Sequence, residues 1–338
     1  MKYNNDGFDK EDILSDSKVK KSPYEIREPG KEYKTLDDLE GNLDTKEQLE
    51  ELVSRISFPD LYTLHGVSIE RGILLEGEPG NGKTFCIECI QGELAKNGQN
   101  FGVMEYSLGS YGSIYINKNS VAINDFFKAG QECLKTNSKI RGILYFFDEA
   151  NSLMTSRSNS HQHKEDKKML ETLMMNMQQV HNRQTPEYMF FATNFKVELD
   201  EASIREGRID KKITFDNPNA DSRKSLFQKE INRINNKSGY AVLPKKVPDE
   251  IIDYSEGLSC IDCIQVIDKT VRSAIHEGVK EIKSNKSKEI LIPHNIIKIK
   301  KGSMLEKVKE IKKDKNKKER TNIGFNPTKN YEAKSYTE

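Results

Sequence analysis

The sequence predicts an α/β fold in which a parallel sheet lies between two helical layers, followed by a small helical domain. Three observations lead there. Short apolar runs alternate with helical stretches through the middle of the chain. Several of those runs are continuously apolar rather than alternating, as in strands buried on both faces. After Asp216-Asn217-Pro218 the runs cease and only helical periodicity remains.

Taken in order, residues 1–35 are charged and lack apolar periodicity, so they are expected to form a flexible arm. The first amphipathic helix falls over 45–56, with Leu49, Leu52, Val53 and Ile56 on one face. The strand candidates are 72–75, 101–104, 143–147, 188–192 and 212–215. Between them, helical periodicity covers 84–95, 121–134 and 167–180. The last carries Met169, Leu170, Leu173, Met174 and Met177, a stripe read as core packing rather than a pliable binding face. Helices over 223–234, 248–254 and 261–275 make up the small domain. Lys298 to Arg320 holds eleven Lys and Arg against four Asp and Glu, with no evident packed face. It reads as a solvated, disordered tail; an acidic partner or nuclear targeting is the alternative. The expected regions are an arm (1–35), a large α/β domain (36–217), a helical lid (218–297) and a basic tail (298–338).

Composition narrows the class. With 338 residues, two domains are expected. The net charge of +1 gives no global field toward nucleic acid or an anionic membrane. No apolar run approaches the ~20 residues of a membrane-spanning helix, and Met1 to Glu11 lacks a signal-peptide centre. Membrane-spanning and secreted classes are therefore not expected. Five cysteines, an odd number, point to a reducing, cytoplasmic setting, with a nuclear one left open.

The chemistry is concentrated in a few motifs. Gly77-Glu78-Pro79-Gly80-Asn81-Gly82-Lys83-Thr84 fits G-x-x-x-x-G-K-[ST], between a predicted strand and a predicted helix. Glycines let the backbone wrap a phosphate, and the helix N-terminus adds positive potential. Lys83 is placed to reach the β- and γ-phosphates of ATP, and Thr84 the Mg²⁺. The run Ile143 to Phe147 leads straight into Asp148-Glu149. Carboxylates at the end of a buried strand sit in the crevice where open α/β sheets bind ligands. Asp148 can hold the metal, and Glu149 can polarise a water for in-line attack. Asn194 ends the next run; its amide can touch the γ-phosphate, orient the water, or simply cap a turn. Arg205 and Arg208 flank Gly207 and read either as part of a phosphate site or as surface salt-bridge formers.

The order of these motifs resembles an ATPase module of the AAA+ superfamily, specifically its AAA clade of protein remodellers, over roughly residues 35–275. Thr35-Leu36-Asp37-Asp38-Leu39-Glu40-Gly41 is similar to the family's Thr-Phe-Asp-Asp-Ile-Gly-Gly segment, so Leu39 and Gly41 are expected over the adenine. Leu199-Asp200-Glu201-Ala202-Ser203-Ile204-Arg205-Glu206-Gly207-Arg208-Ile209-Asp210 resembles the second region of homology, which other P-loop classes lack. The resemblance implies a P-loop NTPase core with a helical lid. It gives Asn194 the sensor-1 role and makes Arg205 and Arg208 arginine fingers. Such fingers act on a neighbouring subunit, which implies a homo-oligomeric ring, usually a hexamer. Gly112 to Asn117 aligns with the family's central pore loop, so Tyr115 and Ile116 are expected to grip a protein substrate. Three departures stand out: Glu206 between the fingers, Asn117-Lys118-Asn119 without the pore-loop glycine, and Cys260-Ile261 in place of a small pair in the lid.

The remaining candidates have plain readings. Cys86 and Cys89, like Cys260 and Cys263, form C-x-x-C pairs; buried small side chains explain them better than a zinc site. His161-Gln162-His163 reads as a solvated loop, with a second pore-loop contact as the alternative. No H-E-x-x-H occurs in the sequence, which points away from a zinc-protease site within it. The expected activity is Mg²⁺-dependent ATP hydrolysis coupled to protein remodelling. A nucleic-acid motor or loader using the basic tail is the alternative.

Overall fold

The computed structural model describes residues 24–30, 32–106, 119–154, 164–194, 208–239, 241–284, 299–300 and 302–323. Helix α1 (Leu43–Ser57) leads through α2 (Pro59–Leu64) into strand β1 (Gly72–Gly77). Then come α3 (Lys83–Lys96), β2 (Phe101–Tyr106), α4 (Asn119–Thr136) and β3 (Gly142–Phe147). A short α5 (Asn151–Met154) and a long α6 (Lys164–Asn182) precede β4 (Glu187–Thr193) and β5 (Lys211–Phe215).

The five strands form one sheet in the order β2-β3-β4-β1-β5, with every pairing parallel. Strands β3 and β4 are buried along their whole length, which is why their sequences carry no polar alternation. Edge strand β5 alternates instead. The strand period of two divides the core. Ile143, Tyr145 and Phe147 face α4 and α6, packing with Phe126, Leu173 and Met177. Leu144 and Phe146 face α1 and α3, packing with Leu49, Leu52, Cys86 and Ile90. Met169, Leu173 and Met177 are buried as expected of the methionine stripe, while Met174 is partly exposed.

Two sequence expectations are corrected. Residues 24–30, expected within a flexible arm, pack on the sheet. Tyr24 is buried and donates its hydroxyl proton to the Ala122 carbonyl, at 2.7 Å. Arg27 exchanges two backbone hydrogen bonds with Val103, each 2.9 Å, and so covers the exposed edge of β2. A lone tyrosine among charges carries no periodicity, and only the strand edge gives it a partner.

The second correction concerns the basic tail. Helices α7 (Ala220–Ser238), α8 (Asp249–Tyr254) and α9 (Cys260–Ser284) form the lid, and a further helix, α10 (Ser303–Ile323), packs on them. Met304, Val308 and Ile311 of α10 are buried with Phe227, Val266 and Ile267 in one cluster. These residues at 304, 308 and 311 form a one-sided apolar stripe, diluted by lysines that stay at the surface. Local signals set the lid's ends: the Asn219 side chain caps α7 by accepting from the Ser222 amide at 2.9 Å, and Gly239 ends it at φ +74°.

Candidate nucleotide site

Four strand ends meet at one edge of the sheet. Strand β1 ends in Gly77, β3 leads into Asp148, β4 into Asn194 and β5 into Asp216 and Asn217. Parallel strands all point their C-terminal ends the same way, so residues far apart in sequence converge in one crevice.

Gly77, Gly80 and Gly82 have φ of +149°, +87° and +90°, giving the loop between β1 and α3 a path that other residues rarely follow. Gly80 is constrained twice: a Cβ there would lie 2.4 Å from Ile261 Cγ2. Lys83 opens α3 and is buried, with Nζ donating to the Gly77 carbonyl at 2.7 Å and the Glu78 carbonyl at 2.9 Å. Burial lowers its pKa, and the nearby charges of Asp148 and Glu78 oppose that shift. Asp148 is half-buried, and its Oδ1 accepts from the Glu149 amide at 2.9 Å. Glu149 is exposed and sits at φ +52°, a left-handed conformation uncommon for a side chain of this size.

These groups line a cleft of roughly 600 Å³ between the sheet edge, the segment around Leu39 and the lid. Of the expected site residues, Pro79, Gly80, Asn81, Gly82, Lys83, Thr84, Asp148, Glu149, Asn194 and Leu39 border it together. Gly77 and Glu78 stand just behind, presenting their carbonyls to Lys83. Gly41 does not border this cleft; it lines a smaller adjoining crevice, and its carbonyl accepts from Ser222 Oγ at 2.6 Å. Arg208 lies at the other end of β1: the backbone oxygen of Arg208 leaves no room for a Cβ on Gly72, and its Nη1 contacts Met174 Sδ at 3.4 Å. Arg205, Tyr115, Ile116, His161 and His163 lie outside the described residues.

Of the far wall, the sequence reading anticipated only Cys260 and Ile261, the departures from the family's lid pair. Helix α7 contributes Leu226, Lys229, Glu230 and Arg233, and α9 contributes Cys260, Ile261 and Ile264. Lys229 Nζ donates to the carbonyls of Asp37 at 3.1 Å and Asp38 at 3.2 Å, and pairs with Glu40 at 3.3 Å. It thereby ties the lid to the segment beside Leu39. The lid also docks on the phosphate loop itself. The Ile261 amide donates to the Gly80 carbonyl at 3.0 Å, and the Cys260 amide to Asn81 Oδ1 at 3.1 Å. Asn81 Nδ2 in turn reaches Phe215 O at 3.3 Å and Asn217 Oδ1 at 3.0 Å. Nothing in the local sequence distinguished Lys229 from any other surface lysine.

The cysteine pairs belong to different places. Cys86 and Cys89 lie on the buried face of α3 itself, and Cys260 and Cys263 in the lid core. Burial pushes the thiols of Cys89 and Cys263 up to about 12 and that of Cys260 up to about 11.

The donor set fits a magnesium-bound nucleoside triphosphate. A buried ammonium and the amides opening α3 suit phosphates. The Thr84 hydroxyl and the Asp148 carboxylate are hard oxygen donors of the kind Mg²⁺ takes. Leu39, Leu226 and Ile264 give the other end an apolar wall for a base.

Residues 73–217 match the model of the ATPase family associated with various cellular activities (AAA). The chain is 26% identical over 259 residues to the ATP-dependent zinc metalloprotease FtsH of Helicobacter felis, covering 75% of this chain and 38% of that protein. It is 26% identical over 248 residues to FtsH 3 of Sphaerobacter thermophilus, covering 73% and 47%. With FtsH 3 of Petrotoga mobilis the identity is 28% over 212 residues, covering 62% and 30%. The chain thus spans less than half the length of these relatives.

Proposed function

We propose that the chain carries a Mg²⁺-dependent ATPase module of the AAA clade of the AAA+ superfamily and works as a ring-forming motor that remodels a protein substrate, a reading supported by the family match and the similar proteins. The observation that carries this reading is the convergence of Lys83, Thr84, Asp148, Glu149 and Asn194 on one cleft whose other wall is the lid.

In this reading Lys83 and the loop amides bind the β- and γ-phosphates, while Thr84 and Asp148 hold Mg²⁺. The ion supplies charge neutralisation of the phosphates. Glu149 takes a proton from the attacking water, and Asn194 orients that water. Catalysis is then mostly positioning and charge stabilisation. Arg208 lies away from its own chain's cleft, which supports a role on a neighbouring copy, with Arg205 as its partner finger. A heterologous interface that closes makes a ring, and a hexamer is the size proposed. Because the lid bonds directly to Gly80 and Asn81, a change at the phosphates reaches the lid through two hydrogen bonds. That link supports mechanical output, with Tyr115 and Ile116 proposed to grip the substrate chain. Among the described residues no helix is long and apolar enough to cross a membrane. The five cysteines are free thiols, which supports a reducing compartment.

The test is Glu149→Gln, which should bind ATP, hydrolyse it at least a hundredfold more slowly ( gives ~10²–10⁴ for a lost base), and lock the oligomer. Parent-like turnover sinks the catalytic assignment. Arg205→Ala and Arg208→Ala should also be inactive alone. Mixing either with Lys83→Ala protein should restore part of the activity, because one healthy site can form between two different defects. Absence of any restoration speaks against the shared site. Affinity capture with the ATP-locked variant then identifies the substrate.

A further inference from the structure

The phosphate loop has an acidic second position. Glu78 places a carboxylate beside a cleft whose other groups converge on a triphosphate, and like charges so close repel. Two neighbours offset it. Asn217 Nδ2 donates to Glu78 Oε2 at 3.1 Å, and Lys315 Nζ lies 3.4 Å from the same oxygen. Lys315 comes from α10, the last helix among the described residues. Its ammonium also donates to the Gly257 carbonyl at 3.2 Å. Gly257 lies in the turn before α9 at φ +78°, and α9 is the helix whose first amides bond Gly80 and Asn81. Phosphate loop, lid turn and C-terminal helix therefore meet at one ammonium group.

Packing fixes that group in place. Ile311 and Val308, one and two turns earlier on α10, are buried in the lid cluster. The reach of Lys315 is set by a docked helix rather than by a floating tail. The same Glu78 presents its backbone carbonyl to Lys83 Nζ at 2.9 Å, so a displacement of Glu78 moves an acceptor of the lysine that meets the phosphates.

We propose that Lys315 is a positioning residue of the nucleotide site, which offsets the Glu78 charge and couples the C-terminal helix to the phosphate loop. The inference rests on the nucleotide reading of the cleft and extends it to a segment outside the matched domain. The coupling is reciprocal: a docked α10 favours ATP, and bound ATP favours a docked α10. Both side chains are partly exposed, 33% for Lys315 and 57% for Glu78, so solvent screening keeps the effect modest.

The experiment measures binding of a fluorescent ATP analogue with Mg²⁺ to the full chain, at low and high salt, together with steady-state hydrolysis. Lys315→Ala should weaken binding about three-fold at low salt and less at high salt. The loss should fall on KM rather than on kcat. Lys315→Arg should retain parent affinity. The Glu78→Gln, Lys315→Ala double variant should bind as tightly as Glu78→Gln alone, because no carboxylate remains to be offset. Parent-like binding by Lys315→Ala overturns the proposal. So does a loss that persists when Glu78 is already Gln, since it would assign Lys315 to structural support alone. Lys83→Ala separates the two readings. If it binds the analogue like the parent, the nucleotide assignment of the cleft fails. If it loses binding while Lys315→Ala does not, only the present proposal fails.

Discussion

Replacing Asn81 with alanine tests the docking of lid on loop most directly. The side chain is 3% exposed and makes three hydrogen bonds: it donates to Phe215 O and Asn217 Oδ1 and accepts from the Cys260 amide. A buried hydrogen bond contributes about 1 kcal/mol net, and a buried partner left unpaired costs about 1–3 kcal/mol. Two of the partners, the Phe215 carbonyl and the Cys260 amide, belong to buried residues. The third, Asn217, keeps its contact to Glu78. The expected cost is about 3 kcal/mol, lowered somewhat where cleft water replaces the amide. Most of that cost falls on the lid's attachment, since the core strands lose only one acceptor's partner. Hydrogen exchange of peptides covering 258–264 should rise at least ten-fold, as ~1.4 kcal/mol of local destabilisation already gives that factor, while peptides from β3 and β4 keep their protection. A urea titration should show the lid loosening before the core. Unchanged exchange at the start of α9, with an unmoved urea midpoint, would refute the claim that this side chain holds the lid on the loop.

Two further expectations follow from burial. Val308 on α10 is fully buried, so Val308→Ala should destabilise the lid by about 2 kcal/mol, whereas Lys313→Ala on the exposed face should stay within about 0.5 kcal/mol. Denaturant unfolding distinguishes them, and equal small effects would return the segment to the status of an unpacked tail. Thiol reactivity should follow the pKa directions. Cys260, held up to about 11 by burial, is roughly one part in three thousand thiolate at pH 7.5, so its alkylation should be slow and should rise about ten-fold per pH unit through pH 9. Cys133 is only half-buried, with a thiol raised chiefly by that burial, and should react first. Mass spectrometry of iodoacetamide-treated protein reads both, and a Cys260 labelling curve that levels off near pH 8.5 would contradict the burial argument.

Much of the core was legible because strand burial writes itself into composition. The Gly-Ile-Leu-Tyr-Phe-Phe run had to be buried on both faces, and its first acidic residues had to fall at a strand end. The phosphate loop was legible because three glycines and a lysine at fixed spacing have few other uses. The lid's role was less so. Lys229, Asn217 and Lys315 act through partners dozens to hundreds of residues away, and no local pattern marks them. Residues 24–30 and 303–323 were misjudged for a related reason: a short apolar contribution inside a charged stretch looks like noise until a neighbouring surface accepts it.

The amino-acid sequence alone determined the parallel sheet, the glycine-rich loop between β1 and α3 and the carboxylates that follow β3, since each depends on periodicity or on spacing within a few residues. Tertiary structure alone decided that Asn81 bridges loop and lid, that Arg208 stands away from its own cleft, and that a lysine-rich helix closes the lid and reaches Glu78. Those outcomes depend on which surfaces meet, and a hydrogen bond or ion pair across a long stretch of chain has no energy until packing brings its two ends within about 3 Å.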